Sequence, residues 1–144
     1  MKDDPAALFV DIRTAEPGHI EVRPNHEVSP DQIADFRDMP FDDESFPLIL
    51  FDPPHILKRA SVGIMEKKYG SLSRENWRDD LRRGFLECWR VLRTGGTLIF
   101  KWSSAEIPLK EVLACFDRSP KFGHTTTRKG TTHWMVFFKD EIGT

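Results

Sequence analysis

An α/β fold built on a mostly parallel sheet, with an antiparallel hairpin at its C-terminal end, is the class that the sequence predicts. Three stretches predict it. Leu48, Ile49, Leu50 and Phe51 form an apolar run too short for a helix and suited to a central strand buried on both faces. Trp77, Leu81, Phe85, Cys88, Trp89 and Leu92 recur at helical spacing between Ser73 and Gly95-Gly96. Residues 121–128 and 132–139 alternate on either side of Lys129-Gly130, as the arms of a hairpin do.

The 144 residues make one domain, 1–144, long enough to bury a core without disulfides. Its two cysteines, Cys88 and Cys115, fall in amphipathic helical stretches, which points to packing thiols in a reducing cytoplasm. No apolar run approaches the roughly 18 residues of a membrane span, so no membrane partner is expected, and a homo-oligomer is compatible with the composition. A net charge of −2 and a pI near 6.2 exclude a chain-wide attraction for phosphate backbones. Any contact with nucleic acid is therefore local, with Lys58-Arg59, Lys67-Lys68, Arg82-Arg83 and the basic residues of 118–129 as candidates.

Residues 6–12 read as a short strand carrying an acid, Asp11, near its end, where a carboxylate commonly receives a ribose hydroxyl. Residues 14–31 are turns around a short strand at 19–22, and His19 and His26 lack the spacing partners of a metal site, so no metal is expected. Residues 33–41 read as a third strand carrying Asp35 and Asp38, followed by the acidic loop 42–46.

The apolar run of 48–51 must stop at Asp52, because Pro53 and Pro54 each remove an N–H and fix φ. In an open α/β sheet, ligands bind beyond that carboxyl edge. The two prolines stiffen the turn and fix the direction of its carbonyls. An anionic acceptor at Asp52, a rigid carbonyl at Pro53 and a ring at His55 suit a planar amino group, which offers N–H donors and a face.

Residues 56–72 lack clear period and read as a mobile loop over that site, with Tyr69, the single tyrosine, as an aromatic substrate contact. Ser73 is the N-cap of the following helix, and Gly95-Gly96 stops it. Residues 98–102 form the next strand, with Lys101 a charge in an apolar setting that faces substrate and Trp102, Ser103 and Ser104 at the same edge as Asp52. Pro108 opens a helix with Leu109, Val112, Leu113 and Phe116 on one face. His124, Arg128, His133 and Trp134 in the hairpin are expected to be mainly structural.

This order of elements, with Asp52-Pro53-Pro54-His55 and the passage Arg90-Val91-Leu92-Arg93-Thr94-Gly95-Gly96-Thr97-Leu98, resembles the class I S-adenosylmethionine-dependent methyltransferases. Within them it is similar to those whose Asp/Asn/Ser-Pro-Pro-aromatic motif methylates amino nitrogens of nucleic-acid bases. The resemblance covers nearly the whole chain and implies a Rossmann-like sheet, S-adenosyl-L-methionine as cofactor and DNA as the first-guess partner. It implies that Asp52 and Pro53 accept hydrogen bonds from the target amine, with Pro54 completing the catalytic turn and His55 in the place of the aromatic that stacks on the flipped base. It gives Asp11 to the cofactor's ribose, and Asp35, or its neighbour Asp38, to the adenine amino group. His55 departs from the usual Tyr, Phe or Trp. The family's first strand and its Gly-rich turn are expected to be missing or atypical, since residues 1–5 cannot supply them and no Gly-x-Gly occurs. A degenerate module that binds a partner or nucleic acid without catalysis is the alternative.

Overall fold

The computed structural model describes residues 4–59, 63–126 and 128–140, apart from the side chains of Met65, Lys68 and Tyr69. In chain order the elements are β1 (Val10–Asp11), β2 (Gln32–Ile33), β3 (Phe46–Phe51), α1 (Ile64–Tyr69), α2 (Trp77–Val91), β4 (Leu92–Ser103), α3 (Leu109–Leu113), β5 (Phe122–Thr125) and β6 (Thr132–Phe138). β1 and β2 pair in parallel as a ladder of their own, and the other four strands form a sheet in the order β3-β4-β6-β5. β3 runs parallel to β4, while β6 is antiparallel to both β4 and β5. The α/β class, the parallel pair beside Asp52 and the terminal hairpin are as the sequence predicts, but the sheet is not mostly parallel: β3–β4 is its one parallel pairing among the described residues, because β1 and β2 pair apart from it.

One face of the sheet holds the core. Phe51, Leu98, Phe100, Trp102, Met135 and Phe137 are buried there against Leu81, Phe85, Cys88 and Trp89 of α2 and against Val112 and Phe116. Phe85 stacks on Phe116 with ring centroids 4.3 Å apart and meets Phe137 edge-on at 5.0 Å. Burial pushes the Cys88 thiol up to about 12, which makes it a packing group and not a nucleophile.

Several expectations change. β3 is an edge strand in place of a central one, and its outward residues Leu48 and Leu50 are 59% and 37% exposed while Phe51 is buried. The physical reason is one-sided cover: α2 packs on the face that Phe51 shares, so only alternate residues of β3 are enclosed.

The strands expected over 6–12 and 33–41 shrink to β1 and β2, and 19–22 forms turns around the buried Ile20. Two local bonds explain the shrinkage. The N–H of Arg13 donates to Asp11 Oδ1 and that of Arg37 to Asp35 Oδ1, both at 2.9 Å, so each acid turns the backbone just where the ladder would continue.

Gly95-Gly96 does not stop α2. The helix ends at Val91 because Leu92 swings into extended backbone and pairs with Phe46, leaving residues 93–96 as a bulge before Leu48 meets Thr97. Gly95 has φ +84°, and a Cβ on Gly96 would lie 2.9 Å from the Pro47 carbonyl oxygen. The helix end is capped from afar: Lys139 Nζ donates to the carbonyls of Trp89 and Leu92, both at 2.7 Å. The other end differs too: the N-cap is Asn76 in place of Ser73 and makes no side-chain cap hydrogen bond, while Ser73 Oγ accepts the Asn76 N–H at 3.3 Å and so closes the turn that precedes the helix.

The segment 56–72 is anchored in place of structureless. It contains α1 and a parallel bridge of Leu57 with Leu72, with Ile56 and Leu72 buried; residues 60–62 lie outside the described residues. Among the described residues no helix is long and apolar enough to cross a membrane.

Gly84, in the middle of α2, is where Phe36 enters. A Cβ there would overlap the Phe36 ring and come within 2.9 Å of Phe51 Cζ, and the two phenylalanine rings lie 5.4 Å apart. Gly84→Ala should therefore destabilise despite the roughly 1 kcal/mol that alanine gains in a helix, because overpacking costs ~1–3 kcal/mol. In a Phe36→Ala background the same change should cost at least about 1 kcal/mol less. Urea-denaturation midpoints of the four proteins in this cycle measure the coupling; additive effects would mean that Phe36 does not seat on Gly84.

Candidate active site

The end of β3 gathers the charged groups. Asp52 leaves the sheet beside Lys101 of β4, because Phe51 pairs with Phe100 and the next residues on each strand fall together. Lys101 Nζ lies 3.6 Å from Asp52 Oδ2, with the two side chains 37% and 49% exposed. Lys101 is in turn opposite Trp134 of β6, and its ammonium sits over that indole, 5.3 Å from the centroid.

Pro53 is buried and Pro54 half-buried, so the turn after Asp52 is held by packing as well as by its fixed φ angles. His55 meets Trp102 edge-on, with centroids 6.3 Å apart at 81°. Trp102 itself points into the core in place of the edge, where its Nε1–H donates to the Ile107 carbonyl at 3.0 Å. Beyond His55 the chain is pinned by Glu106, whose carboxylate accepts the Leu57 N–H at 2.7 Å and also pairs with Arg59.

Removal from water pushes the Asp52 carboxyl above the ordinary carboxylate range, and the charges of Lys101 and His55 partly offset this. His55 moves the other way. Burial depresses it below 6.5, with the carboxylates of Asp52 and Glu106 pulling it back up and Lys101 pushing it further down. Near neutral pH the turn thus presents a neutral imidazole beside a carboxylate of raised basicity.

The three acids expected at a cofactor are differently disposed. Asp11 is clamped by its neighbour two residues on, with Arg13 Nε 3.3 Å from Oδ1 and Nη2 3.1 Å from Oδ2. Arg13 also reaches the Lys67 carbonyl, and its Nε lies beside Gly70 (φ +81°) together with Pro54 Cγ, which brings Asp11 to the Asp-Pro-Pro turn. Asp35 carries the same device: Arg37 takes both its oxygens, at 2.6 to 3.1 Å, and extends to Asp80 of α2 at 2.9 Å. The Arg37 hydrogen bonds hold the Asp35 carboxyl below the ordinary range despite its partial burial. Asp38 is exposed; its N–H donates to the Asp35 carbonyl, and its carboxylate makes no hydrogen bond or ion pair among the described residues.

Lys101 therefore stands where the sequence put it, next to Asp52, whereas the side chain of Tyr69 lies outside the described residues. His133 is structural: its ring nitrogens bridge Ser104 Oγ and Thr125 Oγ1, each at 2.9 Å. His19 and His26 hydrogen-bond to each other at 2.8 Å. Glu106 and the Asp-x-Arg clamps escape a sequence reading, although the repeat Asp11-Ile12-Arg13 and Asp35-Phe36-Arg37 is a visible signal for the second.

Fold and site together define an α/β protein with a rigid carboxylate turn at the carboxyl end of a parallel strand pair. No protein family matches the chain, and no curated protein does. Solved structures resemble it. A candidate DNA modification methylase from Thermus thermophilus, crystallised with S-adenosyl-L-methionine, is 20% identical, with 74% of this chain and 53% of that one covered and a TM-score of 0.49. Its selenomethionine derivative gives 16% identity, 70% and 49% coverage and a TM-score of 0.42. The chain spans about half the length of these structures.

The opposing pulls on His55 make its titration a test of the site. Its NMR midpoint should lie below 6.5; Asp52→Asn, which removes the charge pulling it up, should lower it further, and Lys101→Met should raise it. Because the folded value is depressed, His55 should cost stability as pH falls below 6.5 and contribute nothing to the pH dependence above it. An unchanged midpoint in both variants would separate His55 from the pair.

Proposed function

We propose that the chain is an S-adenosyl-L-methionine-dependent methyltransferase acting on an amino nitrogen, with an exocyclic amine of a DNA base as its acceptor. The observation that carries this reading is the Asp52 carboxylate, raised in basicity, half-exposed and fixed by Pro53 and Pro54 at the carboxyl edge of the sheet.

The donor set fits the cofactor in part. Asp11 Oδ2 accepts one hydrogen bond from Arg13, so it retains capacity for a ribose hydroxyl. Both Asp35 oxygens are taken by Arg37, and the adenine amino group then falls to the uncommitted Asp38. S-adenosyl-L-methionine supplies an electrophilic methyl group on a sulfonium.

The chain's own residues do the rest. Asp52 and the Pro53 carbonyl accept the two N–H bonds of the acceptor amine, which aligns its lone pair and draws its hydrogens away from the line of attack. Asp52 is then placed to take the proton that the methylated nitrogen releases, a task for which its raised basicity suits it. Lys101 compensates the carboxylate's charge while the site is empty of amine.

A nucleic-acid acceptor is supported by local charge. Arg128 and Lys129 are exposed in the β5–β6 turn, and that turn lies at the same edge as Asp52 because Thr132 pairs with Ser103 at the end of β4. A base reaches such a turn only when unstacked or in single-stranded form. The second reading, a binding module without catalysis, draws on the arginine clamps that occupy Asp11 and Asp35.

Calorimetric titration with S-adenosylhomocysteine and a radiolabel-transfer assay on single-stranded DNA separate the two. Binding is expected, with Asp52→Ala, which removes the acceptor, lowering transfer by about 100-fold or more while cofactor affinity stays within about twofold. Absence of heat at high micromolar ligand would favour the binding module.

A further inference from the structure

We infer that the indole of Trp134 is the platform on which the acceptor's planar ring stacks, and that Lys101 holds this space until the acceptor arrives. The inference rests on the amine-methyltransferase reading and deepens it by naming the residue that grips the ring.

The family resemblance gives stacking to the residue after the two prolines, which here is His55. That ring is half-buried and turned edge-on to Trp102, a wall of the core. Trp134 differs in setting. Trp77, Trp89 and Trp102 are all buried, whereas Trp134 is only partly covered and lies on the sheet face that α2 leaves open, the face that Lys101 and Leu50 share.

Asp52 and Trp134 look into one space, because a single ammonium touches both: Lys101 Nζ is 3.6 Å from the carboxylate and 5.3 Å from the indole centroid. The carboxylate and the ring are then no more than roughly 9 Å apart. A purine-sized ring stacked about 3.5 Å above the indole, with its amino group about 2.9 Å from Asp52, spans such a gap. Lys101 has a flexible stem and can withdraw, and cross-strand pairing fixes the indole opposite it. Arg128 and Lys129, at the same edge, supply the backbone contact that a stacked base of a single strand requires.

The test uses the full chain and an oligodeoxyadenylate, with an abasic oligomer of equal length and n-butylamine as comparators. Oligodeoxyadenylate should quench the tryptophan emission, and the other two should not. Trp134→Ala should weaken oligodeoxyadenylate binding, read by anisotropy, by about 10- to 100-fold, the contribution of one stacked base. Trp134→Phe, which keeps a ring, should stay within about threefold, and far-UV circular dichroism checks that both variants fold. Equal losses in the two folded variants, quenching by the abasic oligomer, or quenching by n-butylamine would overturn the platform. Methyl transfer with normal affinity in Trp134→Ala would overturn it while leaving the enzymatic reading intact; selective weakening of binding in Trp134→Ala with no methyl transfer by the unaltered chain would do the reverse.

Discussion

The register of β3 against β4 is the constraint on which the rest of the molecule depends. Phe51 opposite Phe100 places Asp52 beside Lys101, and Lys101 opposite Trp134 extends the row across to β6. That register is set at the other end of the strands, where residues 93–96 loop out so that Leu92 can pair with Phe46 and Thr97 with Leu48. A slip of β3 by one residue would turn Phe51 out of the core, so the apolar packing that stabilises the sheet also fixes the polar groups at its edge.

The core enforces this from one side. Aromatic rings from α2, β4, β6 and the segment after α3 interlock around Phe85, whose neighbours Phe116, Phe137 and Trp89 lie 4.3 to 5.7 Å away. The other face stays apolar yet half-exposed at Leu48, Leu50, Phe122 and Phe138. Asp52 and Lys101 therefore sit where a buried sheet meets solvent: close enough to protein for the carboxyl's pKa to rise, open enough for a planar molecule to enter.

Much of this was legible in the residues. Two prolines after an apolar run stop a strand whatever surrounds them, and the 3.6-residue period of Trp77 to Trp89 admits few readings other than a helix with one core face. What escaped depends on partners distant in sequence. Lys139 caps α2 across 47 to 50 residues, and Glu106 pins Leu57 across 49; no spacing rule reaches that far. The exposure of Leu48 and Leu50 was illegible for the same reason, since an apolar run does not say whether both of its faces will be covered. The short β1 and β2 reflect a competition visible only in geometry, in which Asp11 and Asp35 take backbone N–H groups that a longer ladder would have used.

The notch at Gly84 has a mechanical consequence. With Phe36 wedged between that helix residue and Phe51, and Arg37 bound to Asp80 one turn away, the acidic segment, the helix and the strand that carries Asp52 share a single fixed spacing. The helix works as a gauge block: it cannot roll or slide without dragging Asp35 and Asp38 along, so the span from those two acids to the Asp-Pro-Pro turn is set by one missing methyl group.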